Sequence, residues 1–244
     1  MTDITASSVL PAVRQTWSVT TADGVRLHGE TALPARTPPV ATVVCVHPLT
    51  THGGSMDSHL FRKMSWRLPA LAGMAVVRFN LRGAGEGQQR SGGAFDSCRG
   101  EGLDLGAVLA AVGQELPDPW LVGWSFGTDV VLKHGNRDPV GGAVLLSPPL
   151  RFSDDADLDR WAAGRRPLTV LVPEFDDYLR PAEAERRFAR VPQAQVVGVP
   201  GAGHLWVGER NVRIVLNGIV NAVAPATHPL PTEWSGPMER WTDL

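Results

Sequence analysis

The chain has 244 residues, with 23 Lys+Arg against 25 Asp+Glu and a net charge of −2, which lacks the basic surplus of a nucleic-acid-binding domain. Hydrophobic residues make up 43%, enough for a real core, so global disorder is excluded. No apolar run approaches the roughly 18 residues of a membrane span, and Met1–Ser8 lacks the basic start and apolar stretch of a signal peptide.

These features give the expectation of a soluble cytoplasmic protein with no nucleic-acid and no membrane partner. Cys45 and Cys98 are too few for a disulfide framework or a structural zinc site. Cys45 sits in an apolar run and reads as a small packing residue.

Along the chain, the first ten residues look frayed. Trp17–Thr20 and Val25–Glu30 alternate in polarity around Asp23-Gly24, a hairpin signal. Residues 33–39 form a proline-containing loop. Short, continuously apolar runs follow at Val40–Val46, Met74–Phe79, Trp120–Gly123, Ala143–Leu146, Leu168–Val172 and Val196–Val199. Such runs suit strands buried on both faces. Between them, helical spacing is found at His59–Leu71 (which Pro69 threatens to shorten), Glu101–Leu116, Phe126–His134, Ala182–Phe188 and Val212–Val223. The alternation predicts an α/β domain with a parallel sheet and helices on both faces, over residues 1–225.

Residues 226–244 depart from this pattern. The stretch is proline-rich, and Trp234, Met238 and Trp241 are spaced to share one side of a short helical turn. Two readings stay open: the tail docks on its own domain, or it makes a subunit contact in a homodimer.

Residues 123–127 read Gly-Trp-Ser-Phe-Gly, directly after a strand-like run and directly before a helix-like one. A sharp strand-to-helix turn strains the serine backbone and exposes its hydroxyl, and glycines two residues either side keep Cβ atoms out of the turn. Ser125 is therefore the candidate nucleophile. Its bland alternative is an N-cap serine flanked by packing glycines.

Seven histidines compete for the role of base. His204, in Gly201-Ala202-Gly203-His204 after the last apolar run, occupies a loop at a strand C-terminal end, where open parallel sheets place active groups. The acid belongs after Leu168–Val172, where Pro173-Glu174-Phe175-Asp176-Asp177 offers both aspartates and, less well, Glu174. The chain order is serine, aspartate, histidine.

With these residues in place the chain resembles the α/β-hydrolase superfamily. Val46-His47-Pro48-Leu49 looks like the family's oxyanion turn, with proline in place of the first glycine. Gly53-Gly54-Ser55-Met56 and Phe79-Asn80-Leu81-Arg82-Gly83-Ala84-Gly85 are similar to segments of small, lidless serine hydrolases of dienelactone hydrolase-like or prolyl-oligopeptidase-like architecture. The resemblance implies a mostly parallel, roughly eight-stranded sheet without a large lid. It favours Asp176 over Asp177, because Glu174 and Pro181 then fall in the family's register. It makes the backbone N–H groups of Leu49 and Phe126 the oxyanion donors, and His47 a turn-shaping residue.

The activity implied is hydrolysis of a carboxylic ester of a small-molecule acyl substrate, with no cofactor and no metal. Acyl transfer and thioester cleavage use the same residues, and a binding module that lost turnover is the rival from another class. His47, Trp124, Trp161, Phe175, Tyr178 and Trp206 are candidates to line the pocket. A metal site at His47, His52 and His59 matches no zinc spacing. Gly83–Gly87 completes no nucleotide-binding motif and reads as a flexible loop near the site.

Overall fold

Each apolar run becomes a strand. After two short strands, β1 (Thr2–Asp3) and β2 (Ser8–Val9), the Asp23-Gly24 turn joins β3 (Val13–Thr20) to β4 (Arg26–Leu33). Then follow β5 (Ala41–Val46), β6 (Met74–Phe79), β7 (Pro119–Trp124), β8 (Gly142–Leu146), β9 (Leu168–Phe175) and β10 (Ala194–Gly203). The helices are α1 (His59–Ala72), α2 (Gly100–Val112), α3 (Phe126–His134), α4 (Asp155–Gly164), α5 (Pro181–Phe188) and α6 (Glu209–Val223). The computed structural model describes residues 1–112, 115–117 and 119–243, so Gly113 and Gln114, inside the helix predicted over Glu101–Leu116, lie outside the described residues, as does Leu244 at the end of the tail.

The main sheet has eight strands in the order β10-β9-β8-β7-β5-β6-β4-β3. Strands β5 to β10 pair in parallel, and the β3–β4 hairpin adds antiparallel through β4 to β6. Every residue of β5, β6 and β8 is buried, as continuous apolar runs predict. Alternate residues of β5 face opposite cores. Val44 and Val46 pack with side chains from α2 to α5, and Val43 and Cys45 pack with α1 and α6. The chain leaves β5 for β6 on one side, then crosses back to β7 on the other. That reversal opens a crevice at the strand C-terminal ends.

Pro69 does not end α1. Its missing N–H would have served the carbonyl of Ser65, and Arg14 Nη2 serves that carbonyl instead at 3.2 Å. Helix α4 was not foreseen. Its signal is a capping box: the Asp154 carboxylate accepts from the Asp157 N–H at 3.0 Å, and Asp157 accepts from the Asp154 N–H at 2.9 Å.

The chain ends depart from expectation together. Strand β11 (Glu233–Trp234) pairs antiparallel with β1, and β12 (Glu239–Arg240) with β2. The stretch predicted as a helical turn is extended at these two pairs, with a 3-10 turn at Trp241–Asp243, because the first residues, expected to be frayed, supply its hydrogen-bond partners. Trp234 is half-buried, and Trp241 is 51% exposed. Among the described residues no helix is long and apolar enough to cross a membrane.

Candidate active site

Ser125 connects β7 to α3 with φ 51° and ψ −122°, a left-handed conformation disfavoured for any residue with a side chain. Surrounding bonds hold it there. Its N–H donates to the Leu146 carbonyl at 2.9 Å, and its carbonyl accepts from the Thr128 N–H at 2.8 Å and the Thr128 hydroxyl at 2.7 Å. The flanking glycines are required by space. A Cβ on Gly123 would lie 2.7 Å from the Gly127 carbonyl oxygen, and a Cβ on Gly127 would run into the carbonyl of Val46. Ser125 occupies the N-cap position of α3, yet its side chain makes no capping bond. Its Oγ lies 2.9 Å from His204 Nε2.

His204 Nδ1 lies 2.9 Å from Asp176 Oδ2. An ionised carboxylate only accepts, so Nδ1 carries the proton and donates it; Nε2 is then free to accept from the Ser125 hydroxyl. Asp176 is 2% exposed, and its other oxygen accepts from the N–H groups of Tyr178 at 2.9 Å and Leu179 at 3.3 Å. Burial alone would raise its pKa. The hydrogen bond from His204 and the two backbone donors outweigh burial and hold the carboxyl below the usual range. Asp177 is exposed to solvent, so the contact with the imidazole is made by Asp176.

The loop bearing His204 is pinned by its main chain. The His204 carbonyl accepts from Trp124 Nε1 and from the Ser147 hydroxyl, each at 3.2 Å. The next carbonyl, that of Leu205, accepts from His59 Nε2 at 2.7 Å. Glu174 holds the approach to the loop by accepting from the Gly201 N–H at 2.8 Å.

Leu49 and Phe126 both line the cavity beside Ser125. Phe126 is the first residue of α3, so its N–H is one of those a helix leaves without an internal acceptor. Leu49 precedes the turn Thr50–His52, and its carbonyl collects the N–H groups of His52 and Gly54, each at 3.0 Å. A Cβ on Gly54 would collide with the Pro48 carbonyl, which fixes that glycine. His47 is fully buried. Its Nε2 accepts from the Leu81 N–H at 3.0 Å, and its Nδ1–H donates to the Pro48 carbonyl at 2.6 Å. Burial, only partly offset by the Pro48 bond, pushes its pKa down to about 4, so the ring is neutral and joins β5 to the loop after β6. His47, His52 and His59 do not converge, and among the described residues no three His, Cys, Asp or Glu side chains group as a metal site.

Ser125 and His204 open on a cavity of about 340 Å³. Of the predicted lining residues, Trp124 and Tyr178 border it, and the Tyr178 ring stands 4.8 Å from that of His204. Four others do not. His47 is spent on the turn. Trp161 lies on the buried side of α4, with its Nε1–H on the Leu132 carbonyl of α3 at 3.0 Å. Trp206 is buried in the core on the α1 and α6 side of the sheet. Phe175 points to solvent at 57% exposure. The lining that sequence reasoning missed is an aromatic box of Phe95, Phe126 and Phe152, with edge-to-face centroid separations of 5.3, 5.4 and 6.1 Å. A larger depression of about 610 Å³ lies over the loops after β5 and β6 and touches neither Ser125 nor His204. The glycine-rich loop there is tied down: Asn80 Nδ2 donates to the Gln89 carbonyl and the Ser91 hydroxyl to the Asn80 carbonyl.

Solved structures share this arrangement of strands and helices. A serine hydrolase homologue of Coxiella burnetii superposes with a TM-score of 0.72 and 23% identity, over 85% of this chain and 96% of that one. A Xanthomonas campestris serine hydrolase without a lid superposes with a TM-score of 0.69 and 26% identity, over 94% and 99% of the two chains. The Pyrococcus furiosus esterase Pf2001 gives a TM-score of 0.65 and 20% identity, over 79% and 85%. This chain has the α/β-hydrolase fold. No protein-family model matches it, and no curated protein does. The Xanthomonas protein is described as lacking a lid, and here the link from β8 to β9 holds only α4, packed against α3.

Proposed function

We propose that the protein is a serine hydrolase that cleaves a carboxylic ester of a small acyl substrate. The observation that carries this reading is the pair of 2.9 Å contacts joining Ser125 Oγ, the His204 ring and Asp176. His204 Nε2 takes the hydroxyl proton as Ser125 Oγ attacks the carbonyl carbon, and the buried Asp176 carboxylate stabilises the imidazolium that forms. The tetrahedral oxyanion is received by the N–H groups of Leu49 and Phe126, donors of a kind worth on the order of 3 kcal/mol each. His204 then protonates the leaving alkoxide. Water, deprotonated by the same nitrogen, releases the acid from Ser125.

The reaction draws on no cofactor. An open cavity without a lid domain favours short or compact acyl groups over long lipids. A cytoplasmic setting agrees with two free, buried cysteines. Acyl transfer or thioester cleavage would use the same groups.

The test is labelling with a fluorophosphonate probe together with a panel of 4-nitrophenyl esters of increasing acyl length. Labelling and turnover that vanish in Ser125→Ala support the reading. A folded wild-type protein that neither labels nor turns over any ester is a binding module. Product analysis with added alcohol acceptors separates hydrolysis from transfer.

A further inference from the structure

The loop after β8 brings Arg151 to the cavity of Ser125 and His204, yet the mechanism above makes no use of it. Its main chain is fixed. Two residues on, the Ser153 N–H and hydroxyl donate to Asp129 of α3 at 3.0 and 2.5 Å, and the Arg151 N–H acts on the same carboxylate. Its side chain is exposed and reaches across to the loop after β9. There the guanidinium carbon lies 5.9 Å from the centre of the Tyr178 ring, within the range of cation–π attraction. Among the described residues the guanidinium makes no hydrogen bond and pairs with no carboxylate.

Charge at the cavity is one-sided. Asp129 also borders it, but that residue is 0% exposed and spent on the loop, so substrate does not reach it. Asp176 is buried behind His204. Asp177, next to Tyr178 in sequence, is exposed and does not border the cavity, and His52, which does, adds no negative charge. The full charge open to a substrate at the mouth is therefore a cation with its N–H donors unspent.

The reaction says which part of an ester meets it. His204 protonates the leaving oxygen, so the alcohol portion departs on the imidazole side of Ser125 and the acyl portion lies away from it. The Tyr178 ring stands 4.8 Å from the His204 ring, and the guanidinium lies over Tyr178. Tyr178 and Leu205, both exposed, flank that route.

We propose that Arg151 is a specificity residue that receives a carboxylate carried on the alcohol portion of the ester, with the intervening apolar part lying along Tyr178. The proposal rests on Ser125 as the nucleophile. It assigns the class of alcohol: a phenol or similarly compact alcohol with an anionic group at its far end. The planar guanidinium meets a carboxylate through two parallel N–H bonds, whereas an amide of the same shape brings no opposite charge.

The experiment compares the butyrate esters of 4-hydroxybenzoic acid and 4-hydroxybenzamide, which differ in charge and little in shape, with 4-nitrophenyl acetate as reference. The pair 4-nitrophenyl hemiadipate and 4-nitrophenyl hexanoate places the same charge difference on the acyl side. At low salt the wild-type kcat/KM for the hydroxybenzoate ester exceeds that for the hydroxybenzamide ester by about fivefold, although the amide makes the better leaving group. The preference shrinks at high salt. In Arg151→Gln the ratio falls to one or below, and Arg151→Lys keeps part of it. A wild-type ratio at or below one means that Arg151 is a solvated cation resting on Tyr178, and overturns the proposal. So does a ratio that survives in Arg151→Gln, or a carboxylate preference confined to the hemiadipate pair. Should Arg151→Gln fail to fold, the salt series decides, and a ratio that high salt leaves unchanged overturns the proposal. Cleavage of the acetate without a carboxylate preference sinks this proposal only. Failure to cleave any ester, the acetate included, sinks the nucleophile assignment as well.

Discussion

The sheet edge that carries Ser125 and the margin where the two chain ends meet are held by different means. Around Ser125, residues with side chains sit at positive φ: Ser125 at 51°, Ser147 at 50°, Leu150 at 50° and Trp206 at 53°. Such conformations cost on the order of 1–3 kcal/mol each and persist only where the surroundings allow nothing else. Here the surroundings are buried, and bonds from Leu146, Thr128 and Trp124 determine the backbone several times over. At the margin, β1 with β11 and β12 with β2 pair over two residues each, and their side chains are mostly exposed. The contrast teaches where a substitution acts. Under the proposed function, a substitution at the first region is expected to alter chemistry in a backbone that holds, and one at the second to alter stability with little effect on chemistry.

The largest expected effect tests the first half of that contrast. Ser125→Ala removes one hydroxyl from a turn that the glycines and the Leu146 bond maintain. The variant keeps its melting temperature, and kcat falls on the order of 10⁶-fold. Retention of several per cent of kcat would break the assignment. Next in size, Asp176→Asn leaves the imidazole without its acceptor and lowers kcat on the order of 10⁴-fold. Asp177→Asn, at an exposed position, changes kcat less than twofold. Steady-state kinetics on both variants checks this, and the reverse ranking would move the acid by one residue.

His47 sharpens the comparison through pH. Its folded pKa of about 4 lies below the ordinary value of 6.5, so as pH falls the unfolded chain takes up a proton that the folded chain refuses. The contribution is fully present above about 6.5, is lost as pH falls toward 4, and changes no further below that. The gap corresponds to roughly 3 kcal/mol. Denaturant unfolding at pH 7 and pH 4 shows a loss in wild type that is smaller in His47→Gln by about that amount. Equal losses would mean that the ring is not confined to its neutral form. The smallest effect belongs to the margin. Deleting residues 226–244 removes the partners of β1 and β2 and lowers the melting temperature by about 5 °C, with kcat within twofold. A large loss of kcat would show that the two regions are coupled.

Much of the α/β-hydrolase fold was legible in the sequence because buried parallel strands write themselves as apolar runs; Met74–Phe79 and Phe126–His134 coincide with β6 and α3 residue for residue. Ser125 and His204 were legible for a related reason. Each sits at a strand end, and local spacing reports strand ends. What depends on distant partners was hidden. The capping box at Asp154 was a local signal that went unread. The pairing of Glu233–Trp234 with Thr2–Asp3 had no local signal at all, since two-residue strands carry no periodicity. Aromatic type marks a residue for burial without saying in which cavity. Trp161 and Trp206 therefore went to the core, and Phe95 and Phe152 came to the pocket from separate loops.

The grip on the His204 loop has a consequence in time. Two donors hold the His204 carbonyl and a third holds that of Leu205, all of them from the body of the domain. The imidazole is thus aimed at Ser125 before any substrate arrives. The entropy of ordering that loop is lost once, when the chain folds, and not again at each encounter, so in the proposed reaction the barrier carries little contribution from assembling Ser125, His204 and Asp176.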